Sequence, residues 1–181
     1  MPKQVVIITG AGSGIGRSTA LKFAANGFCV IANGRRAEKL HETKAMADGL
    51  SGEIVPVPGD VGDAATAAHL TREALAHGDY GWLVNNAGVG WSYGVSNPGT
   101  MNGLKDTSLD HWREVMRINL DSVYFLCHEA LEHFCSTGSG SIVNVASAGG
   151  LRGMQDAHTY ATAKAGVINM TRSLARAYGP Q

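Results

Sequence analysis

A run of apolar, mostly β-branched residues from Val5 leads without a break into Thr9-Gly10-Ala11-Gly12-Ser13-Gly14-Ile15-Gly16, where a helical pattern begins. A strand that turns at once into a helix needs backbone conformations that side chains disfavour. The four glycines between positions 10 and 16 supply them. The first turn of such a helix presents free N–H groups and the positive end of its dipole, which together favour an anion. Gly10, Ser13, Gly14, Ile15 and Gly16 are therefore candidates for holding a pyrophosphate. A glycine-rich turn alone could serve packing only; its place in the first βαβ unit argues for a dinucleotide.

The rest of the chain repeats this alternation. Strands are expected at Val5 to Thr9, Phe28 to Ala32, Glu53 to Val57, Trp82 to Asn85 and Ser141 to Ala146. Helical patterns fall between them, from about Gly14 to Asn26, Ala37 to Met46, Asp63 to His77, Leu109 to Ser136 and Thr159 to Tyr178. Short apolar strands alternating with helices predict an α/β fold, a doubly wound Rossmann-type parallel sheet of about five strands. Pro56 and Pro58 place the third strand at an edge. Gly90 to Lys105 lacks periodicity and reads as a surface loop beside the cleft at the carboxyl ends of strands one and four.

Composition narrows the function. The 181 residues suit one domain, here a single NAD(P)-binding unit over 1–181. Balanced charge, +0 at pH 7, gives no electrostatic case for nucleic acid or an anionic membrane. No stretch is long and apolar enough to span a bilayer, and the N-terminal apolar run is too short for a signal peptide. Cys29, Cys127 and Cys135 lack metal-ligand spacing and read as reduced, buried thiols. A cytoplasmic protein without a metal site is expected.

The end of the second strand bears on the choice of dinucleotide. A carboxylate there would bind a ribose 2′-hydroxyl; this chain has Asn33-Gly34-Arg35-Arg36. A guanidinium can grip a 2′-phosphate through two hydrogen bonds, so Arg35 favours NADP over NAD. A solvated basic turn would look the same, which keeps NAD open. After the third strand, Asp60 could accept a bond from an adenine amino group while Val61 packs on the ring. Asp60 could equally cap the helix near Asp63.

Tyr160-Ala161-Thr162-Ala163-Lys164 sets a phenol and an ammonium four residues apart on one helical face. A free tyrosine, with a pKa of about 10, is a poor acid–base group at neutral pH, but a neighbouring cation favours its phenolate. Ser147, thirteen residues earlier, follows the fifth strand and could hold a substrate oxygen. Taken alone, the Tyr–Lys pair is commonplace on protein surfaces. Its occurrence with the glycine turn, with Asn85-Asn86-Ala87-Gly88 and with Ser147 is not.

Together these pieces resemble the short-chain dehydrogenase/reductase family: TGAGSGIG at 9–16, DV at 60–61, NNAG at 85–88, Asn119, Ser147 and YATAK at 160–164, in family order and spacing. The resemblance implies an NAD(P)-dependent oxidoreductase moving hydride between nicotinamide and a ketone or secondary alcohol. It implies Tyr160 as general acid/base, and Lys164 as a ligand of the nicotinamide ribose that lowers the tyrosine pKa. Ser147 would orient the substrate carbonyl. Asn119 would hold a water linking Lys164 to solvent, although it also reads as one polar residue in a packed helix. Asn86, Ala87 and Gly88 would contact the adenosine side of the cofactor. A homodimer or homotetramer, built on the long and final helices, is implied as well.

Two departures qualify this. The segment between Gly88 and Asp106 is longer than in most of the family, with Trp91, Tyr93 and Met101 as possible pocket walls. After Gln181 the family would continue into a sixth strand, a substrate lid and a seventh strand, which this sequence does not include. The second reading is thus a non-catalytic dinucleotide-binding or interaction module.

Overall fold

A computed structural model describes residues 3–181. The elements are β1 (Gln4–Thr9), α1 (Gly14–Ala25), β2 (Cys29–Gly34), α2 (Ala37–Ala45), β3 (Glu53–Pro58), α3 (Ala64–His77), β4 (Asp79–Asn85), α4 (Trp91–Ser96), α5 (Leu109–Met116), α6 (Ser122–Thr137), β5 (Ser141–Asn144) and α7 (His158–Tyr178). The five strands form one sheet in the order β3-β2-β1-β4-β5, with β1 parallel to β2 and β4, and β2 parallel to β3. This is the expected Rossmann-type fold. The chain divides into two compact units, residues 1–87 with 125–143, and residues 88–124 with 144–181.

The first unit carries the sheet. Val5, Val6, Ile7 and Ile8 of β1 are all fully buried. Successive strand side chains point to opposite faces, so burial of both sets requires cover on both. On one face Val6, Ile8, Val30, Ala32, Ile54 and Val84 meet Ala20 and Ala24 of α1 and Leu40 of α2. Phe28 stands edge-on to both Phe23 and Trp82, with ring centroids 5.0 Å apart in each pair. The two prolines of β3 pair opposite Ala32 and Gly34 of β2, and β3 is an edge strand as expected. Register shifts between Val5 and Val6, which pair with Tyr80 and Trp82 and leave Gly81 as the extra residue of β4.

The second unit has its own core of Val89, Met101, Val115, Ile118 and Ala157, with Tyr93, Met154 and Tyr160 packed against it. Here two expectations change. The stretch expected as a loop, Gly90 to Lys105, is ordered toward both ends, by α4 and by a 3₁₀ turn at Leu104–Asp106, and Met101 within it is a core residue. The burial of Met101, 5% exposed, gives the segment an apolar anchor that its Gly-, Ser- and Asn-rich composition hides. The single helix expected over Leu109 to Ser136 is α5 and α6 joined by a π turn at Arg117–Asp121. Among the described residues no helix is long and apolar enough to cross a membrane.

Candidate functional site

In the first unit the glycine turn is shaped by left-handed backbone at two glycines and by close contact at a third. Gly10 has φ +68° and Gly14 φ +51°, the left-handed region that glycine enters freely. A Cβ at Gly16 would run into the Gly10 carbonyl oxygen, so α1 begins in close contact with the turn before it. Ser13 stands at the N-cap of α1 with no side chain capping the helix, which leaves its first N–H groups facing outward. Ile15 beside them is 68% exposed, an apolar side chain held at the mouth of the turn.

Asn86, together with side chains of Thr9, Arg17 and Thr43 that the sequence reading missed, holds this turn in place. Thr9 Oγ1 accepts the N–H groups of Asn86 and Ala87, both at 3.0 Å. Asn86 Nδ2 returns a 2.9 Å bond to the Thr9 carbonyl. Arg17 donates to the Gly12 carbonyl at 2.6 Å and to Thr43 Oγ1 at 3.0 Å, while the Thr43 hydroxyl donates to the Ala11 carbonyl at 3.0 Å. A signal for Arg17 was available. A cation in the first turn of a helix opposes the macrodipole and needs a local reason to be there.

Arg35 and Arg36 are exposed between β2 and α2. Asn33, fully buried, donates to the Val57 carbonyl at 3.0 Å and thereby ties the end of β2 to β3. Asp60 is not the helix cap; Asp63 holds that position, and Asp60 Oδ1 accepts the Gly62 N–H at 2.9 Å. The closer amide wins because it lies two residues on, within reach of a short carboxylate. Val61 is buried beside it.

The second unit brings Gly88, Asn119, Ser147, Tyr160 and Lys164 into one fold. Asn119 lies inside the π turn and is fully buried. Its Oδ1 accepts the Val89 N–H at 3.1 Å, and its Nδ2 donates to the carbonyls of Val89 at 3.1 Å and Val115 at 3.0 Å. Such single π turns are frequent at functional positions. A Cβ at Gly88 would stand 2.8 Å from Asn119 Oδ1 and 3.4 Å from Lys164 Nζ, so this glycine lies against both side chains.

Lys164 is buried on α7 and donates to the Val145 carbonyl at 2.9 Å. Burial pushes its ammonium below the usual lysine range, because the charged form loses hydration. Tyr160, one helical turn earlier, is half-buried against the apolar core, with its ring 3.7 Å from the Cβ position of Gly90. Ser147 caps a 3₁₀ turn at Ala148–Gly150, its Oγ accepting the Gly149 N–H at 3.1 Å. A Cβ at Gly150 would collide with the Lys164 backbone, so that turn sits directly on α7. A phenol with a buried ammonium one helical turn away is a pair suited to proton transfer.

The family model of short chain dehydrogenases matches residues 4–181. Levodione reductase of Leifsonia aquatica is 34% identical over 179 residues, 97% of this chain and 64% of that protein. Meso-2,3-butanediol dehydrogenase of Serratia marcescens is 34% identical over 177 residues, 97% of this chain and 66% of that protein. The structure of a variant actinorhodin polyketide ketoreductase with NADPH matches with a TM-score of 0.85 at 29% identity, covering 96% of this chain and 64% of that one. The chain spans about two thirds of the length of these relatives.

Proposed function

The chain belongs to the short-chain dehydrogenase family, and from that membership we propose that it serves an NADP-dependent oxidoreductase acting on a ketone or secondary alcohol, with Tyr160 as the acid–base group. The observation that carries this reading is the buried Lys164 ammonium, bound to the Val145 carbonyl one helical turn from Tyr160. An ammonium is costly to bury, and it favours the ionised form of a neighbouring phenol.

The residues present fit a dinucleotide. Gly10, Gly14 and Gly16 leave the backbone of the turn open to a pyrophosphate, and Ser13 and Ile15 flank the uncapped N-terminus of α1. Arg35 would grip the 2′-phosphate, Asp60 and Val61 would take the adenine, and Asn86, Ala87 and Gly88 would lie along the adenosine side. NADPH in the structure of the polyketide ketoreductase relative agrees with the preference for the phosphorylated cofactor. When bound, the nicotinamide supplies or accepts the hydride.

The chain's own residues do the rest. Ser147 orients the carbonyl by hydrogen bonding to its oxygen. Tyr160 donates the phenolic proton to that oxygen as it becomes an alcohol, and takes the proton back in the reverse direction. Lys164 would hold the nicotinamide ribose when the dinucleotide is bound, and it stabilises the phenolate left behind. Asn119 spends both Nδ2 hydrogens on backbone carbonyls. With the Val89 N–H on one lone pair of Oδ1, the other would hold a water on the path from Lys164 to solvent. The names of the relatives, levodione reductase and meso-2,3-butanediol dehydrogenase, support a ketone or secondary alcohol as substrate. Assembly as a homodimer or homotetramer is part of the same proposal, with Ala165, Ala175 and Ala177 exposed along α7 for close helix approach.

The test pairs NADPH titration with turnover on a panel of ketones, for the wild type and Tyr160→Phe. The phenylalanine variant should bind NADPH normally and lose turnover. Unchanged turnover would reject Tyr160, and NADPH binding with no hydride transfer in the wild type would favour a non-catalytic dinucleotide-binding module.

A further inference from the structure

Ala157 is the only non-glycine residue with a left-handed backbone among the described residues, φ 55°. It is buried, and it occupies the N-cap of α7, three residues before Tyr160. A left-handed conformation is costly for a residue with a β-carbon and persists only where the surroundings impose it. One constraint is backbone: the Ala157 N–H donates to the Met101 carbonyl at 3.0 Å. The other is the side chain of the next residue. His158 Nδ1 accepts the Leu104 N–H at 2.9 Å, and its Nε2 faces the carbonyls of Met154 and Gln155, both at 3.1 Å. An acceptor at Nδ1 and a donor at Nε2 specify one neutral tautomer, with the hydrogen on Nε2.

The imidazole therefore stitches three pieces together: the 3₁₀ turn that starts at Leu104, the loop at 154–155 and the first turn of α7. Tyr160 packs in the same core as Met101, Ala157, Tyr93 and Met154. We propose that His158 is a positioning residue for Tyr160, latching the 101–104 segment to the start of α7 and so fixing the direction in which the phenol points. The inference rests on the reading of Tyr160 as the acid–base group. The hydroxyl lies at the far end of a long side chain, so a small rotation of the first helical turn displaces it considerably. A displacement of about 1 Å at a reacting group can cost roughly a hundredfold in rate.

The latch separates into halves by substitution. In His158→Asn an amide oxygen can replace Nδ1 and keep the Leu104 bond. In His158→Gln an amide nitrogen can replace Nε2 and keep only the bonds to 154–155. The test uses the full chain with ¹³C-labelled tyrosine, the Tyr160 signal being assigned with Tyr160→Phe. In His158→Gln the Tyr160 ring resonance should shift or broaden while that of Tyr178, at the other end of α7, stays in place. The Leu104 amide should exchange about tenfold faster. His158→Asn should restore both signals. Where a ketone is turned over, kcat should fall in His158→Gln with NADPH affinity unchanged. An unmoved Tyr160 signal in His158→Gln, or equal damage from both variants, overturns the latch. Turnover surviving in Tyr160→Phe would instead reject the acid–base assignment and leave the spectroscopic result standing.

Discussion

The Lys164 ammonium reaches the carbonyl oxygen of Val145 at 2.9 Å while the residue is only 4% exposed. That bond fixes the cation against the residue that follows β5, and burial lowers its pKa below 10.5. The sign of the pH effect follows. Between the lowered folded value and 10.5, the unfolded chain holds a proton that the folded chain has released, so stability from this group rises with pH. In Lys164→Met that contribution is absent. The stability of the wild type relative to Lys164→Met, measured by urea unfolding, should therefore improve as pH is raised toward 10.5. A flat or falling difference would contradict the burial argument. Turnover should drop by a factor of about 10² or more, the scale of a lost acid–base contribution.

Asn119 is the second buried polar anchor, and its amide satisfies three backbone groups of Val89 and Val115. Asn119→Ala leaves all three without that partner in a buried place. The expected loss is about 3 kcal/mol or more in urea unfolding, since each group left unpaired costs on the order of 1–3 kcal/mol. Asn119→Asp is the sharper test. It keeps an acceptor for the Val89 N–H but turns a carboxylate toward two carbonyl oxygens, so the folded state favours the protonated acid. Asn119→Asp should be less stable than Asn119→Ala at pH 7 and recover part of the deficit near pH 4. Equal stability of the two variants across that range would sink the argument.

The contrast between these two anchors and the glycine turn shows what was legible in the chain. The turn, the strand–helix alternation and the Tyr160–Lys164 spacing are local, written in neighbours within a few residues. Their positions agree with the structure to within a few residues at each end. The partner of Lys164 and two of the three partners of Asn119 are backbone groups 19 and 30 residues away, which no pattern of side chains encodes. The π turn at Arg117–Asp121 was invisible for a related reason. One extra residue per turn barely disturbs a helical hydrophobic pattern, so α5 and α6 read as one helix. Residues 90–106 misled in the opposite direction. They contain two short helical pieces, joined through a turn that carries a buried methionine and too brief to show any period.

Two glycines of the first turn make different demands. At Gly14 a Cβ would meet nothing within 4 Å, but φ is +51°. At Gly16 the backbone is helical and a Cβ would strike the Gly10 carbonyl oxygen. Gly14→Ala should therefore cost about 1–2 kcal/mol of backbone strain. Gly16→Ala has to push the turn itself away from α1, so it should lose more stability and also weaken NADPH binding by about tenfold or more. Urea unfolding and fluorescence titration with NADPH measure both. If Gly14→Ala proves the more damaging in both assays, the close contact between α1 and the turn is not what shapes the site.

Arg35 offers the test of cofactor choice. It is exposed between β2 and α2, in the place where a carboxylate would serve a ribose hydroxyl. A guanidinium there can bind a 2′-phosphate through two charge-assisted hydrogen bonds, and a carboxylate in its place repels the same group. Arg35→Asp should weaken NADPH by about tenfold or more while changing NADH little or improving it, because only NADPH carries the extra charge. The affinities should be compared at one low ionic strength, since screening shortens the reach of exposed charges to about 10 Å at 0.1 M salt. Arg36→Asp serves as the control at the N-cap of α2, where an acidic residue suits the helix dipole. Equal losses for both coenzymes in Arg35→Asp, or a larger effect from Arg36→Asp, would move the 2′-phosphate contact away from Arg35.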